Sequence, residues 1–371
     1  MKQSKSGLRI LYVVTQFADE DSNSTGYLWW LLIQSAKTSG VAVHLITPRT
    51  DFPRWMPKVL VKIVATAALI TECLWRLPRH STVLCATNPA FLPLAISMVQ
   101  RIKRAKVYVL IHDLFPLNTV QAGLMAEKGL AFRVLLALFT AAYRRCAGVI
   151  VIGRDMQQVV AVQLGARVPV LYVPNWVPAP TSEIARVKPL GSLCRFQYFG
   201  NLGVLQGLDF VLEGVAKSKA KNARFEFIGA GAAQAAVAAH PILSLDDRVT
   251  LRAGVAFRDR NSILADCDVS LVTLRPQMYG LAVPSKAYFS LAHGIPFLYM
   301  GDPDSELHLT LCDHPSLGWF VPAGKAQDLA DQIDRICLTP PDSFLSVEAS
   351  GLLLAIHPDQ ARRKIMRFIG M

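Results

Sequence analysis

The sequence predicts an α/β protein built from two doubly wound domains, each a parallel sheet covered by helices. Short β-branched stretches alternate with longer segments whose apolar residues recur at helical spacing, a pattern typical of parallel sheets with helical crossovers. The chain has 371 residues, 52% hydrophobic and 18% charged, which exceeds the usual single-domain length and supplies apolar residues for two cores. A proline-rich segment, residues 173–180, interrupts the alternation near mid-chain and marks a boundary.

These signals divide the chain into three parts. We predict a first domain over residues 1–180, a polar linker at 181–191, and a second domain over 190–353. The remaining segment, 354–371, reads as a basic amphipathic helix that packs back toward the first domain. Two similar sheet domains in one chain are expected to face each other across a cleft.

The strands and helices follow from the same periodicities. Strands are predicted at 9–14, 42–46, 82–86, 106–111, 148–152 and 168–173, and then at 196–199, 225–228, 250–253, 269–273, 296–299 and 319–321. Helices in the first domain are predicted at 26–38, 56–76, 89–103, 129–145 and 154–163. In the third of these helices we expect Asn88 as the N-cap and Pro89 as the first helical residue.

The cysteine pattern and the N-terminus favour a protein of the reducing cytoplasm. The seven cysteines are odd in number, scattered, and form no CxxC pair, so neither a disulfide framework nor a zinc site is predicted. The apolar run after the basic N-terminus is too short for a signal peptide. The longest uncharged window, 80–100, contains three residues that break a membrane helix, Asn88, Pro89 and Pro93.

The positive charge is concentrated in the first half of the chain. Residues 1–185 hold 20 Lys and Arg against 9 Asp and Glu, whereas residues 186–371 hold 19 against 18. Aromatic residues do not interleave with these cations, so we expect no nucleic-acid partner. The cations flank the apolar helices 56–76 and 129–145 and cluster at 101–106, which predicts contact with an anionic membrane surface. Ordinary solvated helix faces are the alternative.

Two strand-to-helix turns in the second half are rich in glycine. The first turn contains Gly200 and Gly203, and the second contains Gly229 and Gly231. Glycines let the backbone approach a ligand closely, and a helix beginning after the turn presents free N–H groups to a phosphate. Neither turn completes a GxGxxG or Walker motif, so simple turn geometry remains an alternative for each one.

A lysine at a predicted helix start adds a third candidate phosphate contact. Pro284 and Ser285 precede Lys286, which opens a helix that Gly294 ends. The helix macrodipole disfavours a cation at this end, and a bound diphosphate would reverse that penalty. The alternative is a lysine that faces solvent.

A His-Asp pair in the first half is a candidate for the reacting end of a substrate. His112 and Asp113 follow the strand predicted at 106–111, and α/β folds bind ligands at the carboxyl ends of their strands. The histidine can bond a sugar hydroxyl, and the aspartate can fix its orientation. A pair of this kind in a loop also occurs without function.

Taken together and in order, these motifs resemble the retaining GT-B glycosyltransferases, which include bacterial envelope mannosyl- and amino-sugar transferases. The branch that extends O-antigen and exopolysaccharide repeat units is particularly similar. The resemblance rests on HDLFP at 112–116, VIGRDM through VPNWV at 151–177, FGNLGVLQGLD at 199–209, VPSKAYFSLAHGIP at 283–296 and, more weakly, LGWFVPAGKAQDLADQI at 317–333.

The resemblance implies a nucleotide-diphosphate sugar as donor, with UDP or GDP, held mainly by the second domain. The implied donor-binding residues are Gly200, Asn201, Leu202, Gly203, Gln206, Gly229, Gly231, Arg252, Pro284, Ser285, Lys286 and Glu306. The implied catalytic residues are His112, Asp113 and Lys286, and Gly26 would lie on the acceptor or phosphate side. The sugar would be transferred with retention, without a metal or other cofactor, and a leaving-phosphate oxygen would take the acceptor's proton.

Three positions depart from the family pattern. Gln206 stands where the family has a basic residue, and Leu281 and Phe289 stand where it has two glutamates, the later of which bonds the ribose hydroxyls. Losing one charge-assisted hydrogen bond costs roughly 1.5–3 kcal/mol. Either the ribose is held differently, with Glu306 as a candidate, or the donor is unusual, or activity is reduced.

The sequence therefore predicts a transferase that moves sugar to a polyprenyl-diphosphate-linked glycan in envelope or exopolysaccharide synthesis. We expect it to be cytoplasmic and peripheral on the inner face of the plasma membrane. The missing glutamates favour one alternative, a non-catalytic GT-B scaffold or partner protein. A GT-B nucleotide-sugar 2-epimerase is a further alternative, but such an enzyme would require more acidic and histidine side chains in the cleft than this sequence offers.

Overall fold

The computed structural model of the chain describes residues 9–47, 57–178, 192–338 and 347–371. The chain divides into two compact units, one formed by Met1–Pro174 with Pro358–Met371 and the other by Asn175–His357. The predicted linker, 181–191, lies outside the described residues. Each unit contains one sheet of six parallel strands with helices, so the predicted fold class is confirmed.

The first unit's sheet has the strand order β2-β1-β3-β4-β5-β6. Its strands are β1 (Ile10–Val14), β2 (Ala42–Ile46), β3 (Thr82–Ala86), β4 (Lys106–Ile111), β5 (Gly148–Val151) and β6 (Val170–Tyr172). Its helices are α1 (Ser24–Thr38), α2 (Lys58–Arg76), α3 (Leu92–Lys103), α4 (Leu117–Gln121), α5 (Leu130–Tyr143), α6 (Arg154–Leu164) and, at the end of the chain, α15 (Pro358–Ile369).

The second unit's sheet has the strand order β12-β11-β10-β7-β8-β9. Its strands are β7 (Cys194–Phe199), β8 (Ala223–Gly229), β9 (Val249–Ala253), β10 (Val269–Thr273), β11 (Phe297–Gly301) and β12 (Gly318–Pro322). Its helices are α7 (Leu208–Lys217), α8 (Gln234–Ala238), α9 (Ile242–Leu245), α10 (Arg260–Ala265), α11 (Lys286–Ala292), α12 (Glu306–Asp313), α13 (Ala326–Leu338) and α14 (Val347–Ala355). Three short 3₁₀ turns, Val204–Gln206, Phe257–Asp259 and Pro315–Leu317, join these elements.

The central strands explain why the sequence pattern was readable. Every residue of β5, β10 and β11 is buried, because strands inside a parallel sheet are covered on both faces and read as continuous apolar runs. On β7 and β8 the alternation is visible instead. Phe196 and Phe225 face the core, together with α7 and α13, while Arg195 and Arg224 do not belong to it.

The start of α3 differs from the prediction. The helix begins at Leu92, with Phe91 as its N-cap, rather than at Pro89. A turn comes first, in which the Leu92 N–H donates to the Pro89 carbonyl oxygen at 2.8 Å. The predicted Asn88 cap is therefore wrong, because the local turn takes the backbone that the helix would have used.

The C-terminal helix α15 belongs to the first unit and packs on α1. The Ser35 hydroxyl on α1 donates to the Asp359 carboxylate, and the Arg362 guanidinium donates to the Ser35 oxygen at 3.0 Å. Phe368 lies edge-on to Tyr108 of β4 at 5.7 Å between ring centroids. These contacts fix the end of the chain on the first sheet.

Three helices of the first unit pack side by side, since α2 contacts α3 and α3 contacts α5. Their outer surfaces retain large apolar side chains. Trp75 is 84% exposed and Met98 59%. Within the described residues, no helix is long and apolar enough to cross a membrane.

Candidate functional site

The turn after β7 has a backbone that only glycine adopts easily. Gly200 has φ +131°, in the region where a Cβ is disfavoured. Its N–H donates to the Ile228 carbonyl oxygen, and the Leu202 N–H donates to the Ala230 carbonyl oxygen, both at 2.9 Å. The turn is thus fixed to the end of the neighbouring strand β8.

The second glycine turn fits directly against the first. A Cβ on Gly229 would collide with the Gly200 carbonyl group, and a Cβ on Gly231 would collide with the Leu202 carbonyl oxygen and Asn201 Oδ1. Close backbone packing therefore accounts for Gly229 and Gly231. A contact of these two glycines with the donor stays a prediction.

Two amide side chains cover the end of the first turn. Asn201 and Gln206 both lie where a Cβ on Gly203 would have to go. Gln206 ends a 3₁₀ turn, and Gly207, with φ +58°, separates that turn from α7. The helix after the glycine turn thus begins at Leu208. Gln206 Oε1 is buried without a hydrogen-bond partner among the described residues.

Lys286 brings a cation to the first turn. It is the first residue of α11, and its Nζ would lie 3.8 Å from a Cβ placed on Gly200. The same Nζ lies 3.4 Å from the centroid of the Tyr198 ring. It is buried and makes no hydrogen bond to the part of the chain that the structure describes. Burial lowers the pKa of Lys286 well below its ordinary value, since a charge is costly away from water.

The structure thus places Lys286 beside the glycine turn, and a role of either in donor binding stays a prediction. Pro284 and Ser285 lead into the lysine, and the Ser285 carbonyl oxygen accepts from the Tyr288 N–H at 3.1 Å. The Asn201 and Gln206 amides and the buried Lys286 amine form a polar surface at the Gly200 turn, beyond the carboxyl end of β7. Such a surface can neutralise an anion.

The two positions that lack the family's glutamates are packed into the second unit's interior. Phe289 is 6% exposed and Leu281 7%. The Phe289 ring lies edge-on to Phe257 at 5.4 Å between centroids, and the Arg260 guanidinium lies 4.6 Å from the Phe257 centroid. Apolar packing has replaced the carboxylates at these positions.

Arg252 and Glu306 have partners of their own. Arg252 donates to Glu226 at 2.7 Å and lines a recess of about 440 Å³ on the face of β7, β8 and β9. Glu306 is 2% exposed, and the Thr310 hydroxyl lies 3.4 Å from its carboxylate. The roles of Arg252 and Glu306 toward a nucleotide stay predictions.

In the first unit, His112 lies just beyond the end of β4. Its backbone N–H donates to the Thr87 hydroxyl at 3.4 Å, and its ring meets the Trp29 ring edge-on at 6.2 Å. The imidazole is 8% exposed, and burial lowers its pKa to about 4. His112 is therefore neutral at pH 7, with one nitrogen able to donate and the other to accept.

Asp113 differs from its neighbour. Its surface is exposed, yet the protein around it raises its pKa to about 6 by desolvation. Water reaches the carboxyl group, while the surrounding protein atoms displace part of its hydration shell. Asp113 remains largely ionised at neutral pH.

Gly26 occupies the first turn of α1. Its N–H donates to the Asn23 side chain at 2.9 Å, which caps the helix. A Cβ at Gly26 would collide with the Ser22 hydroxyl, so the loop before α1 explains this glycine structurally. A role for Gly26 toward phosphate or acceptor stays a prediction.

Sequence reasoning missed Tyr198, Trp29 and Thr87. Tyr198 lies under the Lys286 amine, and the other two contact His112. In the sequence each is an ordinary member of a strand, a helix or a strand end. These residues come to lie beside Lys286 and His112 only when the chain folds. Among the described residues, no group of three or more His, Cys, Asp and Glu could hold a metal ion.

Comparison with known proteins places this geometry in a family. Residues 194–338 match the model of the glycosyl transferases group 1. The chain is 30% identical over 372 residues to the probable glycosyltransferase WbjE of Pseudomonas aeruginosa, covering 92% of this chain and 93% of that protein.

Solved structures share the fold at low sequence identity. Anabaena HepE, in complex with UDP and glucose, is 14% identical with a TM-score of 0.69, covering 98% of this chain and 99% of that one. The lipopolysaccharide outer core galactosyltransferase WaaB is 11% identical with a TM-score of 0.67, over 98% and 99% of the two chains. Since the similarity to WbjE extends over nearly all of both proteins, the chain belongs to the group 1 glycosyltransferase family and has the GT-B fold.

Proposed function

We propose that this glycosyltransferase takes its sugar from a nucleotide-diphosphate donor, UDP- or GDP-linked, whose two phosphates lie against the Gly200 turn. One observation carries the proposal. The Lys286 Nζ is buried beside Gly200 without a hydrogen-bond partner in the described chain, and a buried amine in that state is costly unless a ligand compensates it. A diphosphate would supply both the acceptors and the opposite charge. The UDP in the HepE structure supports a nucleotide of this kind.

The same arrangement supports the chemistry of donor cleavage. Negative charge grows on the diphosphate as the bond to the sugar breaks, and donors aimed at that charge lower the barrier. Lys286 is such a donor. Because Gln206 stands where the family has a basic residue, Lys286 has to stabilise more of the negative charge on the diphosphate. We infer transfer with retention and without a metal from the resemblance to retaining GT-B enzymes.

His112 and Asp113 are proposed to act at the transferred sugar. Because burial lowers the pKa of His112 to about 4, the imidazole contacts a hydroxyl as a neutral group. Asp113 contributes a carboxylate that stays in contact with water. We propose that a leaving-phosphate oxygen takes the acceptor's proton. His112 then only positions the sugar and does not need to gain or lose a proton.

The ribose is proposed to be held without the family's carboxylate, since Phe289 is buried against Phe257. Glu306, at 2% exposure, would need to become accessible to replace it.

The acceptor is proposed to be a polyprenyl-diphosphate-linked glycan at the inner face of the plasma membrane. WaaB acts in lipopolysaccharide outer core synthesis, which supports an envelope glycan. The adjacent helices α2, α3 and α5 expose large apolar side chains, including Trp75, Ile102 and Leu138. Exposed apolar groups of this kind mark a contact surface.

Cations frame the same surface. A recess of about 560 Å³ along α5 is lined by Arg133, Arg144 and Arg145 together with apolar and small side chains. Basic side chains around inserted apolar groups suit binding to an anionic leaflet, since each cation near the membrane surface adds about 1 kcal/mol to the binding free energy. The structure describes the backbone of α2 at Lys58 and Lys62, and their side chains lie outside the described part.

A donor screen tests the proposed function. The protein is incubated with UDP- and GDP-sugars and with a polyprenyl-diphosphate-linked saccharide, and release of UDP or GDP is measured with each component omitted in turn. The proposal expects release that needs both substrates, persists in a chelator and gives a product with the donor's anomeric configuration. Absence of any binding of UDP or GDP would favour the non-catalytic scaffold instead.

A further inference from the structure

Tyr198 occupies the centre of the second unit's core directly below the glycine turn. It is the penultimate residue of β7 and is fully buried. Its ring stacks beside Phe227 at 6.2 Å between centroids. A fully buried tyrosine needs a partner for its hydroxyl, and this one finds it in the turn itself.

The Tyr198 hydroxyl fixes the backbone of the glycine turn. It donates to the Asn201 carbonyl oxygen at 2.5 Å. Burial raises the pKa of Tyr198, so the hydroxyl keeps its proton and stays a donor at neutral pH. The carbonyl of Asn201 is thus held toward the core, and the backbone of the turn is held with it.

The Tyr198 ring contacts the lysine that completes the site. Lys286 Nζ lies 3.4 Å from the ring centroid. The negative face of an aromatic ring attracts an ammonium, and it also attracts the N–H of a neutral amine. A contact of this type holds the nitrogen without an acceptor oxygen. The N–H groups of the lysine that do not face the ring therefore remain available to a ligand.

One side chain thus touches both parts of the proposed diphosphate site, the turn through its hydroxyl and the lysine through its ring. We propose, on the basis of the function proposed above, that Tyr198 is a positioning residue for the donor's diphosphate. Its ring holds Lys286 Nζ beside Gly200, and its hydroxyl holds the backbone of the turn against which the phosphates lie. Tyr198 acts through Lys286 and the turn and does not itself touch the phosphates.

A double-mutant cycle tests this role with UDP and GDP as probes. Tyr198→Leu should weaken binding of the tighter of the two nucleotides by roughly ten-fold, because the lysine loses its aromatic support. In a Lys286→Ala background the same Tyr198→Leu change should weaken binding by distinctly less than ten-fold, since only the hydroxyl's support of the turn is then left to lose. Equal losses in both backgrounds would overturn the proposal.

Two controls separate positioning from packing. Phe227→Leu makes a matched aromatic-to-leucine change in the same core, beside Tyr198, and should lower stability without selective loss of nucleotide affinity. Uridine or guanosine, which lack phosphates, should bind the wild type and Tyr198→Leu alike. Tyr198→Phe keeps the ring and should fall between the wild type and Tyr198→Leu.

A measurement on the ligand-free protein keeps the test independent of the donor. The ε-CH₂ protons of Lys286, assigned from their loss in Lys286→Arg, should be shifted upfield by the ring current in the wild type and in Tyr198→Phe. An ordinary lysine shift in the wild type would overturn the proposed contact even if Tyr198→Leu failed to fold. Failure of UDP and GDP to bind, with the upfield shift present, would instead contradict the proposed function.

Discussion

The carbonyl group of Gly200 lies directly against the Cα of Gly229. A Cβ on Gly229 would lie 3.0 Å from the Gly200 carbonyl carbon and closer still to its oxygen. The two glycine turns are thus one packed unit, in which the second turn supports the first. Changes in the second turn should therefore reach the diphosphate site without touching a ligand.

Gly229→Ala is expected to displace the Gly200 turn and lower both stability and nucleotide affinity. Overpacking of this kind costs about 1–3 kcal/mol. Urea unfolding and calorimetry with UDP and GDP measure the two effects. Gly351→Ala is the control, because a Cβ there meets no neighbouring atom within 4 Å and a helical alanine should be neutral or stabilising. Wild-type affinity in Gly229→Ala would show that the turns are independent.

His112 should make the protein less stable in acid. Its pKa in the folded protein is about 4 against an ordinary 6.5. As the pH falls below 6.5 the unfolded chain binds the proton first, so stability is lost down to about pH 4. The loss amounts to at most about 3 kcal/mol. His112→Asn removes this term, so urea unfolding at pH 7 and pH 4 should show a smaller decrease for the variant. Equal decreases would mean that His112 titrates normally.

The apolar-basic surface of α2, α3 and α5 should bind anionic vesicles and release them as salt rises. Screening over a Debye length of ~8 Å at physiological ionic strength weakens the attraction. Arg133→Glu with Arg145→Glu should greatly reduce binding in vesicle co-sedimentation. Arg258→Glu with Arg335→Glu makes the same charge change at exposed arginines of the second unit and should leave binding near wild type. Equal binding to neutral and anionic vesicles would remove the electrostatic contribution.

Diphosphate binding should take up a proton at Lys286. Burial holds the pKa of its amine well below the ordinary value, and an adjacent anion raises it again. Affinity should therefore fall as the pH rises through the lysine's titration. The protons taken up are counted by calorimetry of UDP and GDP binding in buffers that differ in their heat of ionisation. The measurement is made near pH 8, above the phosphate's own pKa of about 6. Lys286→Met should abolish the uptake, whereas unchanged uptake would assign it to another group.

The sequence allowed the strands to be predicted well because central parallel strands are continuous apolar runs. The predicted 82–86, 106–111 and 269–273 coincide with β3, β4 and β10. The glycine turn and Lys286 were readable because their residue types are unusual in their positions. The error at Asn88 arose from a turn that competes locally with the helix cap.

The aromatic supports of the site were not predictable in the same way. Tyr198 and Lys286 are 88 positions apart in the chain, and their contact depends on the order of β7 and β10 in the sheet. Trp29 and His112 meet only because α1 packs near the end of β4. Spacing and composition carry no signal for such pairs, since each member is an ordinary apolar or aromatic residue of its element.

Calorimetry of UDP and GDP on the wild type and Lys286→Ala, together with turnover assays, is the sharpest test of the proposed contact between Lys286 and the diphosphate. We expect the alanine variant to lose both diphosphate affinity and turnover, with ~2–4 kcal/mol less transition-state stabilisation, the scale of one preorganised donor. We also expect that adding Gln206→Lys partly restores both, since that side chain covers the same glycine turn. Unchanged nucleotide affinity and turnover in Lys286→Ala would contradict the proposed contact, because the diphosphate would then be held elsewhere.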